Sequence, residues 1–264
     1  MFDQVDWARH WYDSVRPAYG QLDFDALGLT GALNAGAASL ALVNAQGRPI
    51  RFVPQAELPE GRAYEEFIAT TGSVPTRENL HDFFNGLVWL TFPRIKLQLN
   101  ALQAAQIALA GVGKSRGPAR DGATIFDENC ALLVVREGAD GDALIDALRG
   151  HRWSEALYER RALFGRTAQA WLFGHALMEK LVAPRKAITA HTLVVRADDA
   201  YFALGHDKQR AWIDKHVAAR LKAEGLSTAS FTPLPVLGVP LWWDGQDAAF
   251  YADASVFRPK RTGA

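Results

Sequence analysis

Residues 120–135 read RDGATIFDENCALLVV, and the way this stretch divides decides how much sheet the chain holds. By side-chain type it contains two apolar, strand-like runs, ATIF at 123–126 and ALLVV at 131–135. DENC, at 127–130, separates them. Asp127 and Asn129 are turn formers, and Asn129 tolerates a left-handed backbone. The spacing predicts a β-hairpin with Asp127 and Glu128 in its turn.

Just upstream, GVGKSRGPARDG (111–122) reads as a glycine-rich loop, overlapping ALAGVGKS (108–115), which fits the loosest form of the phosphate-loop pattern. That loop works only when a strand leads into it and a helix starts at its Lys-Ser end. Here the residues before it, LNALQAAQIALA, have the composition of a helix, and Gly117 and Pro118 stand where the new helix would begin. No nucleotide is expected at Lys114.

Farther out the pattern is mainly helical. Helices are expected over residues 3–15, 29–44 and 63–69, and a strand over IRFVP (50–54). Thr76 then caps RENLHDFFNGLVWLTF, which Pro93 stops, and a further helix covers 95–110. Downstream, helices are expected at 142–148, at 154–182 (the longest) and at 207–223, with a strand in HTLVVRA (191–197). The end of the chain changes character: FTPLPVLGVPLWW holds three prolines and two adjacent tryptophans, so it predicts an extended segment pinned to the body. The sum is an α+β fold, a mainly helical compact domain with a few short strands including a hairpin. One domain is expected over 1–264, with residues 227–264 packed on it as an extended C-terminal segment.

Composition narrows the function. Twenty-nine basic residues balance 29 acidic ones, so there is no global field to draw in nucleic acid or an anionic membrane. The eight tryptophans are scattered through helical stretches and point to packing rather than base stacking. No stretch reaches the roughly 20 apolar residues that span a bilayer. The single cysteine, Cys130, excludes an internal disulfide and fits a reducing cytoplasm.

Several blocks resemble a family of bacterial proteins, mostly proteobacterial, catalogued only as a domain of unknown function. They are TGSVPTRENLHDFFNGLVWLTFP, RDGATIFDENCALLVV, FGHALMEKL, and PLPVLGVPLWW through FYADASVFRP. The resemblance implies a bacterial cytoplasmic protein and brings no activity, cofactor or catalytic residue. Two positions depart from it: Cys130 and Leu241 each stand where a glycine is expected.

Two histidines are placed unlike surface residues. On the HDFFN helix, His81, Asp82, Asn85 and Trp89 share a stripe opposite Phe83, Phe84, Leu87 and Val88. That stripe is either a solvated face or the lining of a polar pocket. His175, projected along a 154–182 helix, falls in the middle of its apolar face, with Glu179 at the margin beside Arg161. His175 is therefore expected to be buried. His175 and Glu179 at i, i+4 can meet one ligand, and His81, Asp82, Asp121, Asp127 or Glu128 could complete a site for a divalent metal. Two readings stay open. In one, these groups form a buried polar network in a non-catalytic binding or interaction protein. In the other, the chain is a hydrolase of a small polar substrate: His81 and His175 act as acid–base groups or metal ligands, Asp82, Glu179 and Asp127 as carboxylate partners, and Asn85, Arg120, Asp121 and Arg161 hold the substrate. The two histidine-bearing helices are expected to meet.

Overall fold

The computed structural model describes residues 2–110 and 117–260, with only the backbone described at 110 and 117–119. The N-terminal helix expected over 3–15 is instead a series of tight turns, at Phe2–Gln4 and His10–Tyr12, followed by the short α1 (Arg16–Tyr19). On a single helix Phe2 and Tyr12 would project roughly 100° or more away from the face shared by Trp7 and Trp11. Turns let Phe2, Trp7 and Tyr12 all reach Phe83 or Phe84. α2 (Phe24–Ser39) starts where the Asp23 carboxylate accepts the Ala26 N–H, and it is broken at Gly28, which has φ 67°. β1 (Arg51–Pro54) and β2 (Ser73–Thr76) pair in parallel, with α3 (Tyr64–Thr71) as the connection between them.

Thr76 ends β2 and does not cap the next helix. The cap is Asn79, whose side chain accepts the Asp82 N–H at the start of α4 (Leu80–Thr91). Every residue of α4 from Asp82 to Thr91 is buried, so the stripe containing Asn85 and Trp89 is covered by other elements. α5 (Pro93–Ala110) begins at once, because proline is tolerated in a first helical turn. The ALAGVGKS stretch starts inside α5, so helix and not strand leads into it. Lys114 itself lies outside the described residues.

The hairpin expected at 123–135 is absent. Residues Gly117–Asn129 form helix α6, and only Cys130–Arg136 is strand, β3. The ATIF run is apolar at helical spacing: Ala123 and Phe126 are buried, as is Cys130 just beyond the helix. Pro118 falls in the first turn of α6 and helps start it. Gly122 makes the close approach that a side chain would block, since a Cβ there would stand 3.0 Å from the Ser227 backbone. Asp127 and Glu128 therefore sit in the last turn of a helix.

After α7 (Ala139–Arg149) the long helix expected over 154–182 is also absent. A π-turn at Ser154–Glu159 gives way to β4 (Ala168–Leu172) and the short α8 (His175–Lys180). Gly165, at φ 84°, turns the chain, and β4 pairs antiparallel with β3. β5 (Thr189–Ala197) lies parallel to β3 on its other side, as HTLVVRA predicts. α9 (Asp199–Phe202) and α10 (His206–Glu224) follow, then β6 (Thr232–Pro235), antiparallel to β5, and α11 (Ala248–Tyr251). The main sheet runs β4-β3-β5-β6. Central β3 is buried on both faces. Leu132 and Val134 pack into the larger core with α4, α8 and α10, while Leu133 and Val135 pack with α7, Trp153 and Tyr251. The architecture is α+β and mostly helical.

The C-terminal segment supplies sheet strand β6. Beyond β6, the Gln246 side chain donates to the carbonyls of Leu237 and Val239 and accepts the Leu241 N–H. Trp243 stacks near Trp11 at 6.5 Å. Leu241 has φ 72°, the left-handed region that glycine enters freely.

Candidate functional site

The histidine helices do meet. α4 and α8 pack together, and His81 Nε2 lies 3.1 Å from His175 Nε2, with the rings edge to face. His175 is the first residue of α8 and is only 3% exposed. Its burial matches expectation for a different reason: a strand end delivers it inward, not the apolar face of a long helix. Gly174 makes this possible. A Cβ there would stand 2.5 Å from the Cys130 nitrogen and 2.6 Å from the Glu128 carbonyl oxygen, so only glycine lets the start of α8 press against the end of α6.

Around the two rings stand three carboxylates. Glu179 Oε2 is 3.0 Å from His81 Nδ1, Glu128 Oε1 is 3.8 Å from His175 Nε2, and Asp127 Oδ2 is 3.9 Å from His175 Nδ1. His81, Glu128 and His175 each offer a ligand atom within 4.8 Å of the others. The cluster opens to solvent on one side: His81 is 29%, Glu128 34% and Glu179 39% exposed at the side chain, against 4% for His175.

Proton placement decides what this arrangement can do. The Glu179 carboxylate only accepts, so His81 Nδ1 carries a hydrogen and, in the neutral ring, Nε2 presents a lone pair. If His175 donates from Nε2 to it, then His175 Nδ1 is a lone pair facing the Asp127 carboxylate. If His175 instead carries its hydrogen on Nδ1, two lone pairs face each other at 3.1 Å. His175 Nδ1 makes no hydrogen bond among the described residues. Each neutral arrangement opposes two acceptors; a metal ion held by both nitrogens removes the conflict, and so does one added proton, which makes the 3.1 Å contact an N–H···N hydrogen bond. Two nitrogens about 2.1 Å from one tetrahedral ion stand roughly 3.4 Å apart.

Burial governs the charges nearby. It holds the His175 imidazole neutral, pushing it down to about 4 against the pull of Asp127. Burial also raises Glu128, partly offset by His81. Asp127 is desolvated as well, yet the Lys96 ammonium beside it brings it below the usual carboxylate range. Lys96, 5% exposed, donates to Asp127 Oδ1 at 2.6 Å and to Asn85 Oδ1 at 2.9 Å, and sits 5.3 Å from the Trp89 ring centre. Asn85 donates onward to the Tyr64 hydroxyl, and Asn100 donates to the Glu65 carboxylate. Burial raises both Tyr64 and Glu65.

The sequence-derived candidates divide accordingly. His81, His175, Glu179, Asp127 and Glu128 come together, and Asn85 joins through Lys96. Asp82 is buried beside them but is fully used by Arg77, whose main-chain N–H, Nε and Nη2 all donate to its carboxylate. Arg161 does not stand beside Glu179. It lies in a turn before β4, against Tyr158 and the Gln246 carbonyl, because no helix joins the two residues. Asp121 is exposed on α6, and Arg120 Nη1 is buried there with no hydrogen-bond partner among the described residues. Neither has a described contact with the histidines. Lys96 was not anticipated, although its position four residues after Phe92 and three before Leu99 marks an apolar helical face.

A family profile described as protein of unknown function (DUF3025) matches residues 50–261. The chain belongs to the DUF3025 family. No curated protein and no solved structure is matched. The matched span of DUF3025 takes in every residue of the histidine cluster and its lysine-centred support, and it begins just before β1. Among the described residues no helix is long and apolar enough to cross a membrane.

Proposed function

We propose that this DUF3025 protein is a divalent-metal protein, with His81, His175 and Glu128 as ligands, and that its reaction is hydrolysis of a small polar substrate. The observation that carries the reading is the pair of Nε2 atoms facing each other at 3.1 Å with His81 Nδ1 committed to Glu179. Two imidazoles and one carboxylate are a ligand set that leaves a coordination position for water, whose pKa such an ion lowers. Glu179 is the outer carboxylate that fixes the His81 tautomer. The lone, buried Cys130, raised by desolvation, is no competing thiolate ligand and suits the reducing cytoplasm that the family resemblance implies.

Chelator-stripped protein titrated calorimetrically with Zn²⁺ and Mn²⁺ should take up one ion per chain. His81→Ala and His175→Ala should each abolish uptake. Absence of stoichiometric binding by either ion would overturn the reading. The specific support for the non-catalytic alternative is the Tyr64–Asn85–Lys96–Asp127 chain, whose hydrogen-bonded links are those of a packing network. A metal-free protein as stable and well folded as the loaded one would favour that alternative.

A further inference from the structure

A second cleft, sharing no residue with the histidine centre, lies between the His10–Ser14 turn, the edge of β4 and the Val239–Trp242 loop. We propose that it binds a small uncharged aromatic molecule bearing a carbonyl or hydroxyl group. Its volume, about 240 Å³, suits one ring and a substituent. The walls are aromatic: His206 stacks on Trp171, with centroids 4.5 Å apart and planes 24° apart, and Trp242 lines the opposite loop.

The polar groups of the cleft are partly unspent. Ser14 is 3% exposed, yet its Oγ has no hydrogen-bond partner among the described residues, a costly state for a buried hydroxyl. Gln169 uses its carbonyl oxygen to accept from Tyr201 and Trp171, and its amide nitrogen donates to no described residue. A ligand carbonyl or hydroxyl satisfies both. Charge, by contrast, is already balanced. Asp13 lies 2.6 Å from Arg16 Nη2 and 3.2 Å from His10 Nδ1, which leaves no net charge to select an ionic ligand.

Leu241 supplies an independent argument. It lines the cleft, is 78% exposed, and holds a left-handed backbone at φ 72°. Neither folding nor solubility gains from a strained, solvent-facing leucine where glycine would sit without strain. An apolar lip for a bound ring accounts for it.

The test is titration of the full chain with benzamide, followed by ligand-observed NMR and tryptophan fluorescence, with benzoate and benzylammonium as charged counterparts. Benzamide should bind with a dissociation constant on the order of 1 mM or below. Ser14→Ala should weaken binding about fivefold, the worth of one hydrogen bond. Leu241→Gly should weaken it while the melting temperature stays level or rises, and removal of metal by chelation should leave benzamide binding as it was, which separates this site from the histidine centre. No saturable binding at tens of millimolar, equal binding of the charged counterparts, or binding indifferent to both Ser14→Ala and Leu241→Gly would each overturn the proposal.

Discussion

A side chain on Gly174 would stand 2.6 Å from the carbonyl oxygen of Glu128, so the contact between the start of α8 and the end of α6 is set by backbone against backbone. No rotamer change relieves such a clash. Gly174→Ala should therefore cost about 3 kcal/mol and part His175 from Glu128. Thermal unfolding together with Zn²⁺ titration checks this, and a variant of unchanged stability would show that the junction yields.

The fate of residues 120–135 shows what the sequence made legible. The run ALLVV and the strand HTLVVRA were readable because buried central strands are continuous β-branched and leucine runs. ATIF was not, because a run of four residues with three apolar side chains is as compatible with one helical turn as with a short strand; the local sign of a helix was Pro118, placed to start one, while Gly122 matters through its close approach to Ser227, distant in sequence. The same difficulty hid β4 inside the expected 154–182 helix, since AQAWL has good helix formers and its strand state comes from pairing with β3. His81 and His175 could be flagged from their helical or apolar surroundings alone. Lys96 and the proton conflict between the imidazoles needed three-dimensional proximity.

Lys96 and Asp127 form a buried ion pair whose separation leaves a charge without a partner. Lys96→Met should destabilise the protein by about 3–5 kcal/mol, and the double variant Lys96→Met/Asp127→Asn should recover much of that loss. Denaturant unfolding of the two single variants and the double one measures the coupling. Strictly additive losses would mean that the two side chains act separately.

Asp214 links α10 to the start of α5, where its carboxylate accepts the N–H groups of Arg94 and Ile95. Burial raises its pKa from 3.8 to about 6, against the pull of those amides. The native protein then binds this proton more tightly than the unfolded chain. Its contribution to stability is fully present below about 3.8 and is lost as the pH rises through about 6, amounting to at most about 3 kcal/mol. Asp214→Asn keeps an acceptor for Ile95 and should flatten the stability profile between pH 4 and 6. An unaltered profile would place the effect on another group.

β6 carries the tail into the main sheet, and Leu234, Val236, Leu237 and Val239 are each at most 2% exposed. Truncation after Ser230 removes the antiparallel neighbour of β5 and uncovers the edge at the buried Ala190 and Thr192, which pair with β6. The shortened chain should be insoluble or unfolded. A soluble product with native circular dichroism and an unchanged melting temperature would show that the tail is dispensable for folding.

Glu179 separates orientation from ligation. Its carboxylate is more than a third exposed and touches His81 Nδ1, the nitrogen away from His175. Glu179→Gln should leave stability within about 0.5 kcal/mol, as surface substitutions do. The amide can still accept from Nδ1, but it no longer strengthens the basicity of the ring, so metal affinity should fall about 10- to 100-fold while the stoichiometry of one ion is kept. Glu128→Gln, which replaces a ligand, should reduce affinity further. Equal affinities for wild type and Glu179→Gln would mean that the tautomer of His81 is fixed by the ion alone, and the carboxylate would then be a surface ion-pair partner with no part in the centre.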